Sequence, residues 1–313
     1  MILQPASRGE LPRLLREISG AGGAVSGYDM SRVAALVQHT PEDMTATVEA
    51  GMSLAAFQGS LRSQGQWLPI DPPFPEDLSI GALLAANPSG PRRFGYGTIR
   101  EHLIGIRVAL ADGRLIKAGG NVVKNVAGYD LCKLFVGSHG ALGCIVEATF
   151  KLRPLPESER FVKTSVESLS RLGDLIERTQ RSGLNPTVLD VAGKRGTAPE
   201  IIIGFDGSPR ETEWQAERAA SFGISTPTDL AHESEFWSAP GEARSASTLP
   251  SKLHETLPGL DADAFVARVG AGRIHFRGGR PPDLPQLPSA LLKRMKEAYD
   301  PNGVLPVPTW LQA

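Results

Sequence analysis

The chain has 313 residues, of which 41% are hydrophobic and 21% charged, with a formal net charge of −1. That length and balance describe a globular protein large enough for two domains, and they exclude a disordered or collagen-like chain. A near-neutral charge with no run of like sign offers no electrostatic footprint for nucleic acid or an anionic membrane.

In chain order, "RGELPRLLREISGAGGAV" places Leu11, Leu14, Leu15 and Ile18 at helical spacing and stops at glycine, which predicts a short amphipathic helix. "MTATVEAGM" alternates as a strand, and Ser53 is the expected N-cap of a helix over "SLAAFQGSLRSQGQ". "WLPIDPP" is held extended by proline, and "SIGALLAANPSG" reads as a helix broken at Pro88-Ser89-Gly90. Asp112-Gly113 joins two alternating runs as a hairpin, and "ALGCIVEATFKLRPLP" is a further strand closed by Pro154 and Pro156. We place a first domain at 1–156 and a second at 157–313. The second reads helix, strand ("PTVLDVAG"), strand ("EIIIGFDG"), helix, the order of a small α+β domain. Residues 228–250 read as loop, "DAFVARVGAGRIHFRGG" as two short strands, and "PSALLKRMKEAYDP" as a helix ended by Pro301.

The two cysteines, Cys132 and Cys144, are too few for a disulfide scaffold and favour a reducing compartment, although their spacing leaves a bridge open. No Cys/His cluster has zinc or iron–sulfur spacing, and none of the six histidines is paired at metal-ligand spacing. We expect no metal site. The N-terminus lacks a basic start followed by an apolar run, and no stretch reaches the ~18 apolar residues of a membrane span. A cytoplasmic chain is the expectation, docked on the inner membrane only through partners.

The chemistry concentrates where side chains are small. Residues 68–97 contain Ser79, Gly81, Ala82, Ala85 and Ala86, residues 119–130 surround Lys124, Asn125, Tyr129 and Asp130, and residues 137–147 carry Gly137, Gly140 and Gly143. Backbone stripped of side chains lets a ligand lie against amide N–H groups, and it equally serves tight turns. No G-x-x-x-x-G-K-[ST] occurs, and no G-x-G-x-x-G joins a strand to a helix, so a P-loop and a Rossmann site are excluded. His139, inside the third segment, and His275, in "GRIHFRG", are the histidines closest to a site. Arg92 and Arg93 suit either a phosphate or a solvated turn, and Tyr96 and Tyr129 suit packing better than proton transfer.

These segments, "TATVEAGMSLAAFQGSLRSQGQWLPIDPP", "SIGALLAANPSGPRRFGYGTIREHLIGIRVALADGR" and "GGNVVKNVAGYDLCKLFVGSHGALGCIVEATFKLRPLP", closely resemble the FAD-binding E subunits of bacterial glycolate dehydrogenases, within the vanillyl-alcohol-oxidase-type (PCMH) flavoproteins. The resemblance runs from about residue 29 to 156 and continues more loosely through "IIIGFDGSPRETEWQ" and "LLKRMKEAYDPNGVL". It implies an α+β chain: a PCMH-type FAD-binding fold of two α+β subdomains, then a smaller α+β cap whose C-terminal helix returns to the FAD domain. It implies FAD held by Pro69, Ser79, Ile80, Gly81, Ala82, Asn87, Ser89, Gly90, Arg93, Tyr96, Gly97, Gly140, Gly143, Cys144 and Ile145, and assigns no catalytic residue. It further implies a glycolate (D-2-hydroxyacid) dehydrogenase complex, with a homologous flavoprotein subunit and an iron–sulfur subunit that takes the electrons. The chain departs from this family in three places: the usual Gly-Gly pair after Ser-Ile reads Gly81-Ala82, the closing L-N-P-G reads "LPVP" at 305–308, and the largest departure is at the N-terminus. The early P-x-G-G-G-T-type loop that cradles the FAD pyrophosphate is missing, because "GAGGAVSGYDMSRV" runs straight from Gly22-Gly23 to Tyr28. The alternative is therefore an FAD-free structural or assembly subunit of the same complex.

Overall fold

The computed structural model describes residues 1–120, 131–280 and 289–308. Lys124, Asn125, Tyr129 and Asp130, singled out above, lie outside the described residues.

The first half begins with β1 (Ile2–Leu3), α1 (Leu11–Gly20) and β2 (Gly27–Tyr28), with β2 parallel to β1. It continues through β3 (Leu36–Thr40), β4 (Thr45–Glu49), α2 (Leu54–Arg62), β5 (Gln66–Trp67) and α3 (Ile80–Ala86). Then follow α4 (Arg93–Tyr96), α5 (Ile99–His102), β6 (Leu103–Ala109), β7 (Leu115–Gly119), α6 (Cys132–Phe135), β8 (Cys144–Lys151) and β9 (Arg153–Pro154). An antiparallel sheet ordered β3-β4-β8-β6-β7 forms the centre of this half. Its middle strand, β8, is buried along nearly its whole length because both faces are covered. On one face pack Leu54, Phe57 and Leu61 of α2 with Leu83 and Leu84 of α3; on the other pack Leu11 and Leu15 of α1 with Val304 and Leu305. Local chemistry sets the helix starts. Ser53 and Ser79 are extended residues whose hydroxyls accept from Ala56 N and Ala82 N.

The second half contains β10 (Ser158–Ser165), α7 (Leu169–Arg181), β11 (Val188–Lys194), β12 (Glu200–Gly207), α8 (Pro209–Ala220), β13 (Thr226–Thr228), α9 (Ala231–Ser238), β14 (Ala243–Ser247), α10 (Leu253–Thr256), β15 (Ala264–Arg268), β16 (Arg273–Arg277) and α11 (Ser289–Tyr299). The sheet order β13-β10-β12-β11 with the helices between is the βαββαβ arrangement of ferredoxin-like units, extended on one edge by β15-β16-β14. Residues 228–250, expected to be loop, instead hold α9 and β14. The reading failed because α9 has no amphipathic period of its own; it forms on tertiary contacts, with Phe236 buried and Arg277 donating to the carbonyls of Phe236, Trp237, Pro240 and Gly241. After α11 the chain returns to the first sheet. The Lys296 ammonium donates to Ala141 O, Leu305 O and the Asp300 carboxylate, and Asp300 in turn accepts from Val304 N and Leu305 N. Among the described residues, no helix is long and apolar enough to cross a membrane.

Candidate functional site

Two groups of the expected site residues come together in different places. The first is a patch built on α3. Ile80 N donates to Met52 O and Gly81 N to Ala50 O, so the helix start is stitched to the end of β4. At its other end Asn87 takes a left-handed conformation (φ 50°), and Gly137 N and His139 N donate to Leu84 O and Ala85 O. Hydrogen bonds thus hold the loop 137–140 against the C-terminal end of α3 at Asn87, while Ser79 to Ala82 at its other end lie against Ala50 and Met52. Gly137 and Gly140 have φ of +80° and +78°, where side-chain-bearing residues are disfavoured. His139, also at positive φ (52°), is exposed at the tip of that loop.

Glycines matter here for different reasons. A Cβ on Gly137 would meet only Asn87 Cβ, at 3.9 Å, so this backbone is open to approach. The other expected contacts face the chain itself. A Cβ on Gly81 would lie 3.1 Å from Ala50 Cβ, and on Gly90 1.8 Å from Asp71 O. On Gly97 it would lie 3.0 Å from a Glu101 carboxylate oxygen, and on Gly143 2.5 Å from a Val108 methyl. Gly140 faces the Tyr28 ring at 3.3 Å and Pro306 at 3.9 Å. Cys144 and Ile145 are buried in β8, and Pro69 is buried beside Leu68. Neither cysteine is in a disulfide, and burial pushes the Cys144 thiol well above its ordinary value.

An FAD-type ligand needs partners on the protein that are not already used. The patch has two: Asn87 Oδ1 and the Tyr28 hydroxyl are both buried with no hydrogen-bond partner. Leaving such an atom unpaired costs about 1–3 kcal/mol, and a flavin nucleotide carries both donors and acceptors to relieve it. The residues from Asn87 to Gly140 therefore fit the group at this patch. Burial, with smaller contributions from Cys144 and Asp300, holds the Tyr28 phenol far above its usual range, so Tyr28 is a neutral hydroxyl and not a base.

The second group lies at the seam between the two sheets. Arg92, expected on a solvated turn or a phosphate, is buried instead. Its backbone N and its guanidinium donate to the Asp71 carboxylate at 3.0 Å, the guanidinium reaches Glu159 on β10 at 2.5 Å, and Nε lies 3.5 Å from Asp206 on β12. Trp67 and Phe161 present ring faces to it at 5.4 and 5.8 Å. Burial opposes the charge on Arg92, but the three carboxylates outweigh it and raise its pKa. Tyr96 packs edge-on against Trp67 with centroids 5.5 Å apart, both Asp206 carboxylate oxygens are buried without a hydrogen-bond partner, and Arg93 donates to Ser89 Oγ at 3.0 Å. Burial raises the Asp206 pKa and pushes Asp71 up to about 7, against the pull of Arg92 and Arg268. So Arg93, Tyr96 and Gly97 stand at the seam, apart from the patch on α3.

Beside the seam, Arg268 is buried between two carboxylates, 2.5 Å from Asp190 and 2.6–2.7 Å from Glu233. His232 Nε2 lies 3.2 Å from Asp190 and 3.6 Å from Glu233. Asp190, His232 and Glu233 hold their ligand-type atoms within 4.8 Å of one another, a cluster that sequence spacing missed because Asp190 is on β11 and the other two are on α9. The positive charge this cluster needs is already supplied by the Arg268 guanidinium. His275 packs against Trp237 (5.1 Å), and burial with the nearby Arg268 and Arg273 pushes its pKa down to about 4, so it is neutral at physiological pH.

Comparison with known proteins agrees with this architecture. Residues 4–119 match the FAD binding domain family. The chain is 34% identical over 143 residues to glycolate oxidase subunit GlcE of Escherichia coli, covering 45% of this chain and 41% of that one. It is 36% identical over 149 residues to subunit GlcD of Bacillus subtilis, covering 48% and 32%. It is 30% identical over 217 residues to a probable mitochondrial D-lactate dehydrogenase of Danio rerio, covering 63% and 43%. The matches thus span less than half the length of each of these relatives. Among solved structures, an alkyldihydroxyacetonephosphate synthase superposes with a TM-score of 0.70 over 98% of this chain and 76% of that one, at 16% identity. The two share a fold: the chain has the α+β, PCMH-type architecture that the resemblance implied.

Proposed function

We propose that this chain, which carries an FAD binding domain over residues 4–119, is the flavin-holding subunit of a 2-hydroxyacid dehydrogenase complex of the glycolate-oxidizing kind. The observation that carries the reading is the patch on α3. There the open Gly137 lies beside Asn87 and Gly140 beside the Tyr28 ring, and Asn87 Oδ1 and the Tyr28 hydroxyl are both buried without a partner. Ser79 to Ala82, Asn87 to Gly90 and the loop 137–140 would hold FAD, and Arg93, Tyr96 and Gly97 would support it from the seam. When bound, FAD would supply the two-electron acceptor for a hydride from the substrate α-carbon. The protein's part is to position the ring, exclude water and keep Tyr28 protonated. The electrons would leave through an iron–sulfur partner, with a homologous flavoprotein subunit completing the assembly.

A specific observation favours a second reading, a flavin-free scaffold in the same complex. The Tyr28 ring, at the end of the shortened N-terminal loop, and Pro306, after α11, already cover Gly140. One experiment separates the two. The chain is purified alone and with co-expressed partners, and its visible spectrum is recorded. Flavin absorption that follows the chain through gel filtration, and is lost in Gly137→Val, supports the first reading; colourless protein in every preparation leaves the second.

A further inference from the structure

Helix α9 lines a cavity with His232, Glu235, Phe236 and Ala239, the i, i+3, i+4, i+7 spacing of a single helical face. Opposite that face lies one side of the second sheet. There β11 and β15 contribute Ala192, paired with Val266, and Ala264, paired with Lys194. Two alanines at facing positions are too small to close the gap between helix and sheet. A cavity of about 460 Å³ remains. Packing for stability alone fills such gaps, because interiors are close-packed and large voids are few.

The side chains around it divide into apolar walls, paired rim charges and one unpaired nitrogen. Phe236, Phe265 and Val266 supply the walls. Lys194 and Glu235, both more than half exposed, pair with each other at 2.8 Å, and Glu200 pairs with Lys163 at 2.9 Å. His232 is more deeply set, with its side chain 10% exposed. Its Nε2 lies 3.2 Å from the Asp190 carboxylate, which can only accept, so Nε2 carries a proton and the ring is held in orientation. Nδ1 is buried and, among the described residues, has no hydrogen-bond partner. A buried nitrogen left in that state destabilises the fold, and native proteins keep such groups for a ligand more readily than for packing.

We infer that this cavity binds a small uncharged alcohol or phenol, with its hydroxyl on His232 Nδ1 and its apolar body between Phe236 and the sheet. A hydroxyl suits Nδ1 in either state of the ring, donating to the lone pair of the imidazole or accepting from the N–H of the imidazolium. An ion has no such fit. The rim charges are matched one to one, and behind His232 the carboxylates of Asp190 and Glu233 already share Arg268. A concave apolar site with one fixed polar group is the common form of a small-molecule pocket. The inference does not rest on the flavin reading, because no residue of the α3 patch lines the cavity.

The test is isothermal titration calorimetry of the full chain with 2-naphthol, using 2-methoxynaphthalene and 2-naphthoate as controls. The naphthol should saturate one site and bind about 10-fold more tightly than its methyl ether, which keeps the rings but has no hydroxyl. In His232→Phe the two should bind alike. Ala264→Leu should fill the cavity and abolish binding of both, with melting temperatures showing that each variant folds. The comparison of naphthol with its ether in the parent chain needs no variant. Absence of saturation, equal affinity of the ether, equally tight binding of the naphthoate anion, or naphthol binding that survives Ala264→Leu would each overturn the assignment.

Discussion

The Tyr28 ring lies 3.3 Å from the point where a side chain on Gly140 would begin, and its hydroxyl is buried without a partner. Two residues far apart in the chain thus meet at the centre of the candidate flavin patch. Tyr28 is held by the pairing of β2 with β1, and Gly140 by the loop bonded to the end of α3.

Tyr28→Phe removes the unpaired hydroxyl and leaves the ring. The flavin-free variant should be as stable as the parent or more so, by up to ~1–2 kcal/mol, since no hydrogen bond is lost. If FAD partners the hydroxyl, the flavin-loaded variant should instead lose retention. Denaturant melts with and without added FAD check both outcomes.

Gly140→Ala should destabilise the protein by about 1–2 kcal/mol, because φ +78° is strained for alanine and the new methyl presses on Tyr28. The double variant Gly140→Ala with Tyr28→Ala should recover only the steric part. A cycle of thermal melts that gave no coupling between the two positions would contradict the contact.

Arg268→Met should cost about 3–5 kcal/mol, since it leaves the fully buried Asp190 without its counter-charge. Burial disfavours the charge on Glu233, yet Arg268 outweighs it and holds that carboxyl below its usual range. Urea midpoints of Arg268→Met against Arg268→Lys report the difference, and Lys should restore part of it.

Asp71 predicts a pH dependence of definite sign. Burial pushes its folded pKa up to about 7, well above the ordinary aspartate value of about 3.9. The folded state therefore holds a proton that the unfolded state has released. The stability linked to it is complete below pH ~4 and is lost as pH rises through 7. Asp71→Asn cannot ionise, so its melting temperature relative to the parent should climb between pH 5 and 8. A constant difference across that range would sink the claim.

Much of the fold was legible because its signals are local. Ser53 and the Asp112-Gly113 turn act within a few residues, and the expected helix and hairpin are both present. Residues 231–247 were misread because α9 and β14 depend on Arg277 and β16, which lie well downstream. Arg92 was open between two surface roles, since nothing near it in sequence announces Glu159 and Asp206. The same holds for Asp190 and His232, which become neighbours only across the second sheet.

By itself, the sequence determined where backbone would be bare, where locally coded elements such as α2 and the β6-β7 hairpin would form, and which flavoprotein family the first half resembles. Those properties follow from residue size, turn chemistry and periodicity, all read over short distances. Only the tertiary structure decided what each bare position meets: Ala50 at Gly81, Asp71 at Gly90, Val108 at Gly143, Tyr28 at Gly140, and open space beside Asn87 at Gly137. It also decided that two arginines would sit among five carboxylates. Close packing and burial of charge depend on which distant segments are brought together, and no local pattern encodes that.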